Sequence, residues 1–178
     1  KSRSVWHSLT PTWADDRHTD SHMKPILIFL FTCNIAWAAN YRPGPEAQRR
    51  VGVPMGRVIQ GEWKNCKHFP GTVRTYWVYI PAQYDAKTPA NLMVFQDGGR
   101  FVRENGHTRV PIVFDNLIHK KELPVTIGLF VNPGVVPPAE AGNQPRRNRA
   151  FEYDTVSADY ANFIIEELWP ALAKEHYL

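Results

Sequence analysis

Asp97-Gly98-Gly99 directly follows the apolar run Asn91–Gln96, in the stretch NLMVFQDGGR. Two adjacent glycines give a bare backbone whose N–H groups can turn toward a ligand with no side chain in the way. The same three residues also make an ordinary Asp-Gly turn, and the two readings look identical in sequence. Asp97 is either part of a site wall or simply a turn former. Arg100 and Arg103 come next and are placed to reach an anionic or phenolic group, although exposed arginines are the default. What these residues can do depends on what the chain brings beside them.

Other reactive side chains are sparse. Cys66 has no CxxC companion, and its neighbours Lys64, Lys67 and His68 make no motif, so it reads as a packed structural cysteine. His107, His119 and His176 show no metal-ligand spacing, and no metal or other cofactor is expected. The serines are Ser2, Ser4, Ser8, Ser21 and Ser157. Ser157, in TVSAD near a helix start, reads as a cap for free backbone donors. No nucleophile, catalytic histidine or catalytic acid is therefore assigned.

The chain of 178 residues is long enough for one domain with a real core, and its formal net charge is +4. Its basic residues fall in separate short clusters, Arg49-Arg50, Lys120-Lys121 and Arg146-Arg147-Asn148-Arg149, with no interleaved aromatics. That pattern argues against a nucleic-acid partner.

The first methionine is Met23, and MKPILIFLFTCNIAWAAN follows the grammar of a secretory signal: positive start, apolar run, Ala36-Trp37-Ala38 cleavage site. The run from Ile26 to Ala38 is shorter than the roughly 20 residues a membrane-spanning helix needs, so no stable membrane anchor is expected. Phe31-Thr32 before Cys33 does not fit a lipoprotein signal. The expected organisation is 1–22 upstream leader or non-native extension, 23–39 signal peptide, 40–56 extended lead-in and 57–178 the folded domain. The protein is expected to be exported, to the periplasm or beyond.

Within the domain, RVIQGEWKNC and TVRTYWVYIP are β-branched and aromatic and predict an antiparallel pair around KHFPG. NLMVFQ and PVTIGLFVNPG predict buried strands. Between them a helix is expected from Pro111 to about Leu123, with Val113, Phe114, Leu117 and Ile118 on one face. After a long Pro-rich loop from Asn132 to about Asp154, TVSADYANFIIEELWPALAKEHYL predicts a helix kinked by Pro170. Antiparallel strands followed by strand–helix alternation make an α/β sheet. A helix covering such a sheet should feed another central strand, and none follows, so the sheet is expected to be half of a larger one.

From about Gly52 to Leu178 the chain resembles the N-terminal half of secreted esterases of the enterochelin-esterase/feruloyl-esterase-like group, in the α/β-hydrolase superfamily. The stretches that carry this are GEWKN, FPGTVRTYWVYIPAQYD, VFQDGGRFV, VPIVFDNLIHKKELPVTIGLFVNPG and NRAFEYDTVSADYANFIIEELWPAL, in matching order and spacing. The resemblance implies a three-layer αβα sandwich, mostly parallel with antiparallel N-terminal strands, ending before the nucleophile elbow. It also implies hydrolysis of carboxylic esters by a Ser-His-Asp/Glu triad lying beyond this stretch, which leaves the stretch itself inactive.

Under the resemblance, the QDGG loop supplies one oxyanion donor, Gly98 or Gly99, with Gly99 preferred. Asp97, Arg100 and Arg149 become substrate-binding candidates. Glu152 and Tyr153 share the match with Arg149, and a buried Arg–Glu pair pinning that loop is an equal alternative. The partner implied is a small-molecule or carbohydrate-linked ester, of phenolic acids, sugars or siderophore-like compounds. A non-catalytic exported binding domain of the same fold, or an acyltransferase of the superfamily, stands as the alternative.

Overall fold

A computed structural model of the chain describes residues 42–140, 142–176 and 178. The expected leader (1–22) and signal (23–39) lie outside the described residues. Strands β1 (Arg57–Trp63) and β2 (Arg74–Ile80) pair antiparallel, in register from Arg57↔Ile80 to Trp63↔Arg74, as their composition predicts. Strand β4 (Thr126–Val131) pairs antiparallel with β2 and parallel with β3 (Asn91–Gln96), giving the sheet order β1-β2-β4-β3. The described sheet is therefore mainly antiparallel, and its parallel part is the β3–β4 pair. Helix α1 (Val110–His119) lies between those two strands in the chain, as a parallel connection requires.

Alternation along β2 and β4 sends side chains to both faces of the sheet, and helices cover each face. Tyr76, Val78, Ile80, Ile127, Leu129 and Val131 pack against Phe163, Ile164, Leu168 and Leu172 of the C-terminal helical segment. On the opposite face Tyr79 and Phe130 pack against Val110, Phe114 and Ile118 of α1. The result is the expected α/β architecture with helices on both sides of the sheet.

Strand β3 departs from its expected burial. Leu92, Met93 and Val94 are 36%, 42% and 39% exposed. The reason is topological: β3 pairs only with β4, so among the described residues its outer edge has no strand beside it.

Two helix boundaries also differ from the sequence reading. Pro111 sits in the first turn of α1, where its missing N–H costs nothing, but the helix stops at His119 instead of near Leu123. Lys121 takes a left-handed φ of 60° and turns the chain out of the helix. After a short helix α2 (Arg149–Tyr153), the C-terminal segment runs through α3 (Asp159–Asn162), a π-helical stretch (Phe163–Leu168) and α4 (Trp169–His176). Pro170 cannot donate the hydrogen bond that Glu166 would accept, and the helix is widened immediately before it.

The lead-in is more ordered than its Pro/Gly content suggests. A 3-10 turn at Pro45–Ala47 is clamped to α1 by Asn116, whose Nδ2 donates to the Glu46 and Gln48 carbonyls at 2.7 and 2.9 Å. Buried Asp115 gathers the Arg49 guanidinium at 2.6 Å, the Gly56 N–H at 2.7 Å and the Tyr79 hydroxyl at 2.7 Å. No described helix is long and apolar enough to cross a membrane.

Candidate active site

The carboxyl ends of β3 and β4 lie side by side, the position at which open α/β sheets place their ligands. Strand β3 ends at Asp97, whose φ of 54° is left-handed, and a 3-10 turn follows at Gly98–Arg100. At the far end of the same loop Arg109 also has positive φ, 49°. Non-glycine residues held in that region carry backbone strain, which concentrates at ligand-binding loops.

Glycine is obligatory at 98. Its backbone lies so close to Phe130 and Val131 that a Cβ there would collide with both main chains. Gly99 is less confined, and a Cβ would meet Trp77 and Asn132 at 3.2 and 3.3 Å. Its N–H donates to Asn132 Oδ1 at 3.0 Å. Asn132 follows β4 and is itself anchored by its N–H to the Thr75 carbonyl at 3.0 Å. The preferred oxyanion donor thus already has an acceptor, supplied by the Asn132 side chain.

Asp97 and Arg149, both expected to contact substrate, meet each other. Arg149 Nη2 lies 2.8 Å from Asp97 Oδ2, and its Nε lies 3.0 and 3.2 Å from the two carboxylate oxygens. The hydrogen bonds from Arg149 hold the Asp97 carboxyl below its ordinary value against a smaller opposing effect of burial. The Arg149 guanidinium also stacks over Tyr153, 5.1 Å from the ring centroid, while the Asp97 N–H donates to the Tyr153 hydroxyl at 3.4 Å. Tyr153 in turn packs edge-on against Tyr160, with centroids 5.0 Å apart.

The Arg–Glu pair expected in this loop exists with a different arginine. Arg74 of β2 holds Glu152 of α2 through bonds of 2.8 and 3.0 Å, and both side chains are fully buried. Glu152 also accepts from the Asn148 side chain at 2.9 Å and from the Gly134 N–H at 3.2 Å. Arg74 donates to Thr72 Oγ1 at 3.0 Å and stacks on Phe163, 4.3 Å from its centroid. One short helix therefore points Glu152 into the core and presents Arg149 and Tyr153 to Asp97. The sequence reading missed Arg74 because an arginine at the start of an apolar strand looks like an end residue.

A cavity of about 490 Å³ opens at the carboxyl end of β3, lined by Val94, Phe95, Gln96, Asp97, Arg100, Phe101 and Tyr160. A second, of about 390 Å³, lies within the loop and shares Arg100 and Phe101 with the first. The Ser157 side chain bonds to Asp159: its hydroxyl donates to the carboxylate at 3.0 Å and accepts from the backbone N–H at 3.3 Å. That is local turn chemistry and not the helix cap expected from sequence: the residue at the cap position of α3 is Ala158, and no side chain caps that helix. Cys66 is buried, and burial pushes its thiol upward, as befits a packed cysteine. Among the described residues no three His, Cys, Asp or Glu side chains cluster to hold a metal.

No protein-family model matches the chain, and no curated protein matches it. Among solved structures it is similar to a ferulic acid esterase from Anaeromyces mucronatus in the absence of substrate, at 20% identity and TM-score 0.48, over 76% of this chain and 49% of that one. The ferulic acid complex from the same organism matches at 19% identity and TM-score 0.46, over 76% and 48%. A feruloyl esterase module from Clostridium thermocellum complexed with sinapinate matches at 18% identity and TM-score 0.42, over 64% and 38%. The chain spans less than half the length of each of these structures.

Proposed function

We propose that the chain forms the front part of an exported carboxylic-ester hydrolase. In this reading a further strand pairs with the open edge of β3 and ends in a sharp turn carrying a nucleophilic serine. That serine attacks the ester carbonyl, a histidine takes its proton, and an acid orients the histidine. This loop supplies one backbone N–H to the oxygen that becomes negative, from Gly98 or Gly99, with Gly99 preferred and contributing once Asn132 swings aside. The substrate is an ester of a phenolic acid, a sugar or a siderophore-like compound, and no nucleic acid or membrane anchor is involved.

The observation that carries this reading is the pairing of two features at one place. The strained glycine turn at the carboxyl end of β3 lies beside an exposed apolar strand edge that can accept a parallel neighbour. The family-like stretches quoted above support it independently. The alternative of a non-catalytic exported binding domain draws on one observation, the occupied Gly99 N–H.

Sequencing the source DNA past the codon for Leu178 separates the two. The esterase reading expects a strand followed by G-x-S-x-G, with an acid and then a histidine further on. A complete domain with alanine or glycine at the serine position favours the binding module.

A further inference from the structure

The loop that follows the glycine turn carries more positive charge than its own acids balance. Between Gly98 and Arg109 it holds Arg100, Arg103, Arg109 and a single acid, Glu104. Glu104 is taken by Arg49, which reaches it from the lead-in. Arg109 is spent on the carbonyls of Gly106 and Ala47, at 2.9 and 3.3 Å. Asp97, the nearest acid upstream, forms its salt bridge with Arg149 and feels Arg100 only as a nearby charge, the smallest of the influences on its carboxyl. Arg100 and Arg103 are both exposed, and neither pairs with a carboxylate among the described residues.

The loop is also built to stay in place. The Thr108 hydroxyl donates to the Arg100 carbonyl at 3.2 Å, the Gly106 N–H to the Arg103 carbonyl at 3.2 Å, and the Val110 N–H to the Phe101 carbonyl at 3.0 Å. These bonds fold it around the 390 Å³ cavity, whose walls are Arg100, Phe101, Arg103, Gly106, His107 and Thr108. Two like charges lining one concavity repel each other, and an anion between them relieves the repulsion. Phe101 adds an apolar wall suited to a ring.

We propose that this cavity is a subsite for the carboxylate of an aromatic or cyclic ligand. Guanidinium groups match the planar geometry of a carboxylate and bind it through charge-assisted hydrogen bonds. Arg100 and Phe101 also wall the larger cavity at the end of β3, so a ligand seated here extends toward the glycine turn. If the chain is part of an esterase, as proposed above, the substrate is an ester whose non-scissile portion bears a carboxylate.

The test is equilibrium binding of 2-naphthoate and of its neutral isostere 2-naphthamide to the polypeptide expressed from the complete reading frame. Naphthoate should bind at least about tenfold tighter than the amide, with affinity falling as salt rises. The double variant R100Q/R103Q should abolish that preference, and R100K/R103K should keep part of it. Equal binding of acid and amide, or an unchanged preference in R100Q/R103Q, overturns the proposal. Both variants alter exposed side chains, and an unchanged melting temperature separates lost binding from lost folding. Because no turnover is read, failure of the esterase chemistry leaves this result intact, and the reverse also holds.

Discussion

Arg74 and Glu152, 78 residues apart in sequence, form a salt bridge of 2.8 Å with neither side chain exposed to solvent. The pair ties β2 to the short helix α2, and that helix carries Arg149 to Asp97 at the rim of the candidate site. A buried pair is held in place because removing one partner strands the other charge away from water. Glu152→Gln or Arg74→Met should therefore destabilise the protein by about 3–5 kcal/mol, measured by urea unfolding. A loss below about 1 kcal/mol, the range of exposed pairs, would mean that the network does not anchor the loop.

The Asp97–Arg149 contact should show in titration. Asp97 is held below its ordinary value chiefly by hydrogen bonds from Arg149. Its contribution to stability is present above the ordinary carboxylate range and is lost as pH falls through the lowered folded value. Arg149→Gln should raise the Asp97 midpoint, followed by carbon NMR of the side-chain carboxyl. An unmoved midpoint would assign the shift to another cause.

The two glycines should respond differently to alanine. Gly98→Ala drives a methyl into the Phe130 and Val131 backbone and should cost about 1–3 kcal/mol or more. Gly99→Ala meets only side-chain ends, of Trp77 and Asn132, at 3.2 Å or more and should cost distinctly less. Comparing the thermal midpoints of the two variants decides the matter. Equal losses would contradict the close approach at 98.

Exposed Leu92, Met93 and Val94 lie along a strand edge that pairs with nothing among the described residues. Expressed as these 178 residues alone, the chain should be mostly insoluble. Val94→Lys should shift material into the soluble fraction by charging that edge. A sharp cooperative melt of the unsubstituted chain would count against an edge that needs a neighbour.

How much of this was legible beforehand follows from the kind of signal each element carries. The β1–β2 pair and β4 were plain from dense β-branched and aromatic runs, and α1 from its apolar spacing and Pro111. Burial of β3 was misjudged because an apolar run records what a strand is suited to cover it, whereas exposure depends on which neighbour is present. The order of the lead-in was missed because Asp115 and Asn116, polar residues within a helical pattern, look solvent-facing until their partners are known. At the site the glycine turn was visible in the letters DGG. The Gly99–Asn132 and Arg74–Glu152 contacts were not, because they join residues distant in the chain.

The central claim is that the glycine turn serves acyl transfer to water on a serine carried by the strand beside β3. The most direct measurement is hydrolysis of a phenolic-acid ester by the protein expressed from the complete reading frame, with and without alanine at the elbow serine. The account predicts turnover that falls at least about a thousandfold in the variant, as removal of an activated nucleophile does. No turnover by the unsubstituted protein across phenolic, sugar and siderophore-like esters, or turnover indifferent to that serine, would contradict it.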